Sequence, residues 1–172
     1  MTRSYSKDDF CEGGKITILK CSPDYIAAKT HTRKADGTPE TVSHRAGKYF
    51  TCREAEVADI HQLHRVLSEI GECSDELVIR GKLNPENQTV PDTCVRRAAR
   101  EKRDEGETVP WFVEQPRLWL MLDFDGVPNP NDLDPTSPEA MEHLRTLLPA
   151  EFQDVTCSYS LSSSAGLTGS NL

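Results

Sequence analysis

Leu118-Trp119-Leu120-Met121-Leu122-Asp123-Phe124-Asp125-Gly126 is an apolar run that delivers two carboxylates, one residue apart, onto a glycine. Unbroken apolar residues ending in charge predict a buried strand whose last residues emerge at a sheet edge. On such a strand Asp123 and Asp125 point to the same side, because side chains alternate with period two. Two like charges this close repel. A hard divalent cation between them, Mg²⁺ or Mn²⁺, relieves the repulsion, and phosphate chemistry is what such ions usually serve. An Asp-x-Asp-Gly also occurs in solvated turns, so the flanking sequence has to choose. The run places the carboxylates where ligands bind in open α/β sheets, beyond the strand ends.

Downstream, Val127 to Pro135 is a loop of Pro, Asn and Asp. Ser137 then caps a helix with Pro138 at its first position, and Met141, Leu144, Leu147 and Leu148 form its apolar face. Val155 to Leu161 predicts a returning strand, which runs into Ser162-Ser163-Ser164-Ala165-Gly166. Strand, helix and strand make a crossover unit with functional loops at its ends. Hydroxyls and unhindered amides in the Ser/Gly turn suit phosphate oxygens, while the carboxylates hold the neutralising ions. A flexible linker has the same composition as that turn.

Upstream, Lys15 to Leu19 and Tyr25 to Thr30 read as short strands separated by Ser22-Pro23-Asp24, and Ala35-Asp36-Gly37 as a hairpin turn into Thr41-Val42-Ser43. The spacing predicts a helix from about Cys52 to Ile70, with Thr51 and Glu54 as its capping box and Gly71 as its stop. In it Val57, Ile60, Leu63, His64, Leu67 and Ile70 recur at helical intervals. His64 is then core-facing and His61 a surface residue, with no third ligand near enough to suggest a shared metal. Glu76 to Gly81 reads as a strand carrying Arg80 into a glycine turn, where the guanidinium either caps the sheet edge or contacts phosphate or template.

Net charge of -8 over 172 residues excludes a protein that coats nucleic acid by bulk attraction, and the length favours one domain over two. Local contacts remain open. Arg96-Arg97-Ala98-Ala99-Arg100-Glu101-Lys102-Arg103 is basic and helical in composition, and serves either as a solvated helix face or as a phosphate contact. Met1 to Asp9 is polar, unlike a signal peptide, and no apolar run reaches membrane-span length. The six cysteines are spaced singly, with no Cys-x-x-Cys pair, which argues against a zinc knuckle and for reduced thiols in the cytoplasm.

The succession of apolar strand, Asp123-Phe124-Asp125-Gly126, a loop with Asp134-Pro135, a helix containing His143-Leu144-Arg145-Thr146-Leu147-Leu148-Pro149, and a strand into Ser162-Ser163-Ser164-Ala165-Gly166 resembles the archaeo-eukaryotic primase superfamily. It is most similar to the N-terminal primase-polymerase domains of phage and plasmid replication proteins. The resemblance extends loosely upstream through Val78-Ile79-Arg80-Gly81, and only the Asp-x-Asp strand and the Ser/Gly turn are specific within it.

That resemblance implies an α/β (α+β) chain: an N-terminal mixed α/β module over residues 1–112, leading into an incomplete RRM-like primase-polymerase palm over residues 113–172. It implies that Asp123 and Asp125 bind the catalytic Mg²⁺ or Mn²⁺ ions, and that Ser163, Ser164 and Gly166 contact an incoming nucleoside triphosphate. Arg80, Arg96, Arg97 and Arg100 become candidates for contact with a single-stranded DNA template. A helicase domain or subunit is a further expected partner, and a membrane is not. The family's second motif is completed by a histidine and its third adds an apolar-Asp pair, and neither occurs between Gly166 and Leu172. The chain is therefore expected to be a fragment or truncated gene product with little or no catalysis of its own, against which a primer-extension signal would count.

Two other classes compete. Haloacid dehalogenase-like phosphohydrolases also place Asp-x-Asp-Gly after an apolar strand, making Asp123 the nucleophile, Asp125 the general acid/base and Ser160 or Ser162 a phosphate ligand. Against them, no lysine follows Asp125, and most of the chain precedes the motif. A calcium or structural loop is the third reading, with Asp123, Asp125, Asn129, Asn131, Asp132 and Asp134 close together. The EF-hand order fails there, because Val127 and Pro128 occupy places that need an oxygen ligand and a glycine.

Overall fold

The structure, a computed structural model, describes residues 14–45, 47, 49–87, 110–124, 126–129 and 131–161. It is mixed α/β, with small antiparallel sheets and few helices. The chain divides into two compact units, Met1–Ala28 with His44–Leu120, and Lys29–Ser43 with Met121–Leu172.

The first unit is built on β1 (Lys15–Cys21), whose Ile16, Thr17, Ile18 and Leu19 are completely buried. A strand that is apolar on both faces needs cover on both, and this one has it. Ile16 and Ile18 pack with Val57, Leu63 and Ile70, while Leu19 and Cys21, on the other face, pack with Phe50. Full burial of each large aliphatic chain stabilises the fold by about 1.5–3 kcal/mol.

Flanking β1 are β4 (Phe50–Glu56), in register from Lys15 opposite Glu56 to Cys21 opposite Phe50, and β5 (Glu76–Ile79), from Thr17 opposite Ile79 to Lys20 opposite Glu76. Both are antiparallel to β1, so β4 and β5 run parallel to each other with β1 between them. Helix α1 (Ile60–Gly71) joins them and lays Leu63 and Ile70 on the Ile16 and Ile18 face. This is a split β-α-β unit.

Part of the helix expected from Cys52 onward is instead β4. Thr51 pairs with Lys20 and Glu54 with Thr17, so neither belongs to a capping box. The helix starts eight residues later, at Asp59, whose carboxylate accepts from the Gln62 amide at 2.8 Å. Gln62 returns the favour by accepting from the Ala58 amide at 3.0 Å. Burial of Leu63 and Ile70 rotates His64 outward, so it is exposed, as His61 is.

Short strands β6 (Lys82–Leu83) and β7 (Phe112–Val113) pair antiparallel, and a single 3-10 turn spans Pro85–Asn87. Gly81 enters this pair so closely that a β-carbon on it would meet the Val113 carbonyl oxygen at 2.8 Å. Trp111 and Phe112 pack on the Leu19 face of the sheet, and Trp119 packs on the Ile16 face. Between them the chain passes from one face to the other.

In the second unit β2 (Lys29–Arg33) and β3 (Pro39–Ser43) form a hairpin in register from Lys29 opposite Ser43 to Arg33 opposite Pro39. Its turn is the expected Ala35-Asp36-Gly37, with Gly37 at φ 83° and Asp36 accepting from the Thr38 amide. Helix α2 (Pro138–Thr146) starts as read, with the Ser137 hydroxyl accepting from the Ala140 amide, and buries Ala140 and Leu144 while Leu147 stays exposed. A last turn of helix, α3 (Ala150–Gln153), packs against α2.

Two expected strands do not form. Leu118–Phe124 carries no strand pairing, and Leu118, Leu120, Met121 and Leu122 are exposed. The described stretch of 155–161 likewise carries none, with Val155, Tyr159 and Leu161 exposed. An apolar run becomes a strand only where another strand offers its backbone groups.

Candidate metal and nucleotide site

Asp123 lies at the end of the Leu118–Leu122 run, exposed and outside regular structure. Among the described residues it has neither a hydrogen-bond nor an ion-pair partner. Gly126 follows at φ 66°, a left-handed turn that favours glycine. The motif therefore ends in the expected glycine turn, although the stretch before it is no buried strand. Asp125 lies outside the described residues, as do Ser162, Ser163, Ser164 and Gly166, and Arg96, Arg97 and Arg100. Ser160 is exposed.

The loop after the motif holds itself together. The Asn129 side chain donates to the Leu133 carbonyl at 2.7 Å and accepts from the Leu133 amide at 2.9 Å. Asp134 accepts from the amide and the hydroxyl of Thr136, both at 2.8 Å, and these bonds hold its carboxyl below the usual carboxylate range. Asp132 sits at φ 50°, a conformation that aspartate tolerates better than most residues. Two of the oxygen-bearing residues that suggested a calcium loop are thus engaged in shaping the turn. Among the described residues, no three of His, Cys, Asp and Glu come together as metal ligands. Asp123 itself, an exposed hard oxygen donor, fits a hard cation.

Arg80, in the first unit, follows β5 with an exposed side chain, while its carbonyl accepts from Arg117 Nε at 3.1 Å. Arg117 is the cation that the sequence reading missed. Its side chain is completely buried, and it also donates to Thr17 Oγ1 at 3.0 Å, the Gly81 carbonyl at 3.1 Å and Glu54 Oε1 at 3.4 Å. Thr17 in turn donates to the Gly81 carbonyl at 2.6 Å. The one sequence signal was Thr17 itself, a polar residue inside an apolar strand that needs a partner when buried. This guanidinium ties the 110–120 segment to the sheet, so its role is structural.

At the opposite end of β1, Lys20 lies 3.1 Å from Asp75 and 3.4 Å from Glu76, which also binds Arg53 at 3.1 Å. Hydrogen bonding and charge from Asp75 hold the Lys20 ammonium above its ordinary range. Burial pushes the Cys21 thiol up, which disfavours the thiolate. Cys21, Cys73 and Cys157 are free thiols.

Compared with protein families, with curated proteins and with solved structures, the chain has no match. Among the described residues no helix is long and apolar enough to cross a membrane.

Proposed function

We propose that this chain is part of a primase-polymerase-like nucleotidyltransferase acting in the cytoplasm on phage or plasmid DNA. One observation carries the reading: an exposed Asp123 carboxylate leads, through Asp125, into the left-handed turn at Gly126. The sequence sets the second carboxylate, Asp125, between Asp123 and that turn. In this reading Asp123 and Asp125 hold Mg²⁺ or Mn²⁺, which when bound would activate a primer hydroxyl and neutralise the pyrophosphate that leaves.

The remaining roles belong to the chain's own groups. Ser163, Ser164 and Gly166 hold the phosphates of the incoming nucleoside triphosphate through hydroxyls and backbone amides. Arg80, Arg96, Arg97 and Arg100 bind and orient the single-stranded DNA template through its phosphates, and a helicase domain or subunit supplies that strand. In this reading the split unit of β4, α1 and β5 around β1 belongs to the N-terminal mixed α/β module, upstream of the palm over residues 113–172.

Binding of a fluorescent ATP analogue tests the reading without requiring turnover. Affinity should rise at least about tenfold when Mn²⁺ is added, the gain should disappear in Asp123→Asn/Asp125→Asn, and Ser163→Ala/Ser164→Ala should weaken binding with and without the metal. Equal affinity in Mn²⁺ and in EDTA would contradict it.

A further inference from the structure

We propose that one face of the β2–β3 hairpin is a nucleic-acid contact surface that grips the sugar-phosphate backbone. Along β2 the residues Lys29, His31 and Arg33 alternate with Thr30 and Thr32, so the three basic side chains share one face. The register sets Ser43 opposite Lys29, Thr41 opposite His31 and Pro39 opposite Arg33. That face thus carries basic and hydroxyl groups and no carboxylate.

The acids lie elsewhere. Glu40 pairs with Thr32, on the other face, where Lys34 reaches it at 3.9 Å. Asp36 is in the turn, and its carboxylate accepts from the Thr38 amide at 2.9 Å and hydroxyl at 2.6 Å. In a chain of net charge -8, a carboxylate-free basic face is a local exception with a polyanion as its natural complement.

The geometry points to a nucleic acid among polyanions. Alternate strand residues stand about 7 Å apart, so Lys29, His31 and Arg33 follow one another along the face at a spacing close to that of successive phosphates, with the Arg33 guanidinium also donating to the Gly37 carbonyl at 3.2 Å. Thr41 and His31 Nδ1 lie 3.0 Å apart, which fixes the ring and leaves Nε2 for a phosphate oxygen. Every hairpin residue is exposed except His31, which is half-buried. A two-stranded ribbon is narrow enough to enter a major groove. The basic face carries no large apolar side chain to enter a bilayer, since Val42 pairs with Thr30 on the other side. Charged edges that discourage sheet growth would need neither this segregation of charge nor the interleaved hydroxyls.

This surface is separate from the metal and nucleotide roles proposed above and additional to the template contacts at Arg80, Arg96, Arg97 and Arg100, from which substitutions confined to the hairpin distinguish it. The test uses the full chain and fluorescein-labelled oligonucleotides of about thirty nucleotides, single-stranded and duplex, followed by anisotropy across a salt series. The chain should bind at least one form. Lys29→Gln/Arg33→Gln should weaken that binding about tenfold and flatten the log-log salt dependence by about one unit per cation removed, with an unchanged melting curve. Lys29→Arg should retain binding, and Thr32→Ala, on the other face, should leave it unaltered. Absence of oligonucleotide binding, equal binding by the double glutamine variant, or binding only to phosphatidylserine vesicles would each overturn the proposal. The same variant should keep its Mn²⁺ binding, so failure of the metal reading and failure of this one are distinguishable.

Discussion

A buried guanidinium is costly unless its donors are matched, and Arg117 meets that requirement with four acceptors drawn from three separate stretches of chain: Thr17, Glu54, and the adjacent Arg80 and Gly81. The planar five-donor fork is what allows one side chain to serve them all, and a lysine ammonium cannot reproduce it. Arg117→Ala should therefore lower the unfolding free energy by about 2–3 kcal/mol, less than for a wholly buried pair because Glu54 keeps contact with water. Arg117→Lys should recover only part of that loss. Urea denaturation of both variants checks this, and a change below about 0.5 kcal/mol in Arg117→Ala would contradict the role. No reading of residues 110–120 alone shows this, because the acceptors become neighbours only when the sheet forms.

Elements were legible where local signals and tertiary demands agree. Lys15–Cys21, the Ala35-Asp36-Gly37 hairpin, Glu76–Ile79 and the Ser137 cap of α2 all combine the right residues with the right partners. Residues 50–56 misled because Thr51 and Glu54 imitate a capping box immediately ahead of a true amphipathic helix. The exposed hydrogen-bonding edge of β1 decides in favour of a strand there, and Thr51 and Glu54 meet it at Lys20 and Thr17, far away in sequence. The two starts are separable by mutation. Asp59→Ala, which removes the observed cap, should cost about 1 kcal/mol, whereas Thr51→Ala should cost about 0.5 kcal/mol or less. Thermal melts of the two variants decide, and the reverse order would restore the longer helix. The segments at 118–122 and 155–161 failed as strands for the complementary reason: suitable residues without a pairing edge among the described residues.

At the scale of the whole molecule, the mixed α/β class was readable from composition and alternation, and the placement of its core was not. The core sits on both faces of β1, so the first unit is organised around β1, β4, α1 and β5, with 110–120 folded over them. The motif that dominates the sequence lies in the second unit, at an exposed glycine turn. What the sequence conveyed about the proposed site is its chemistry, two carboxylates ahead of a glycine, and that much needs no tertiary contact to be seen. Its surroundings depend on pairing, which composition does not encode.

Mn²⁺ binding followed by electron paramagnetic resonance addresses the Asp123 and Asp125 assignment directly, since only free hexaaquo Mn²⁺ gives the sharp signal. The full chain should deplete that signal, and Asp123→Asn and Asp125→Asn should each weaken binding about tenfold or more with an unchanged melting temperature. Mn²⁺ binding that is undiminished in both variants, or absent from the unaltered chain, would contradict the account.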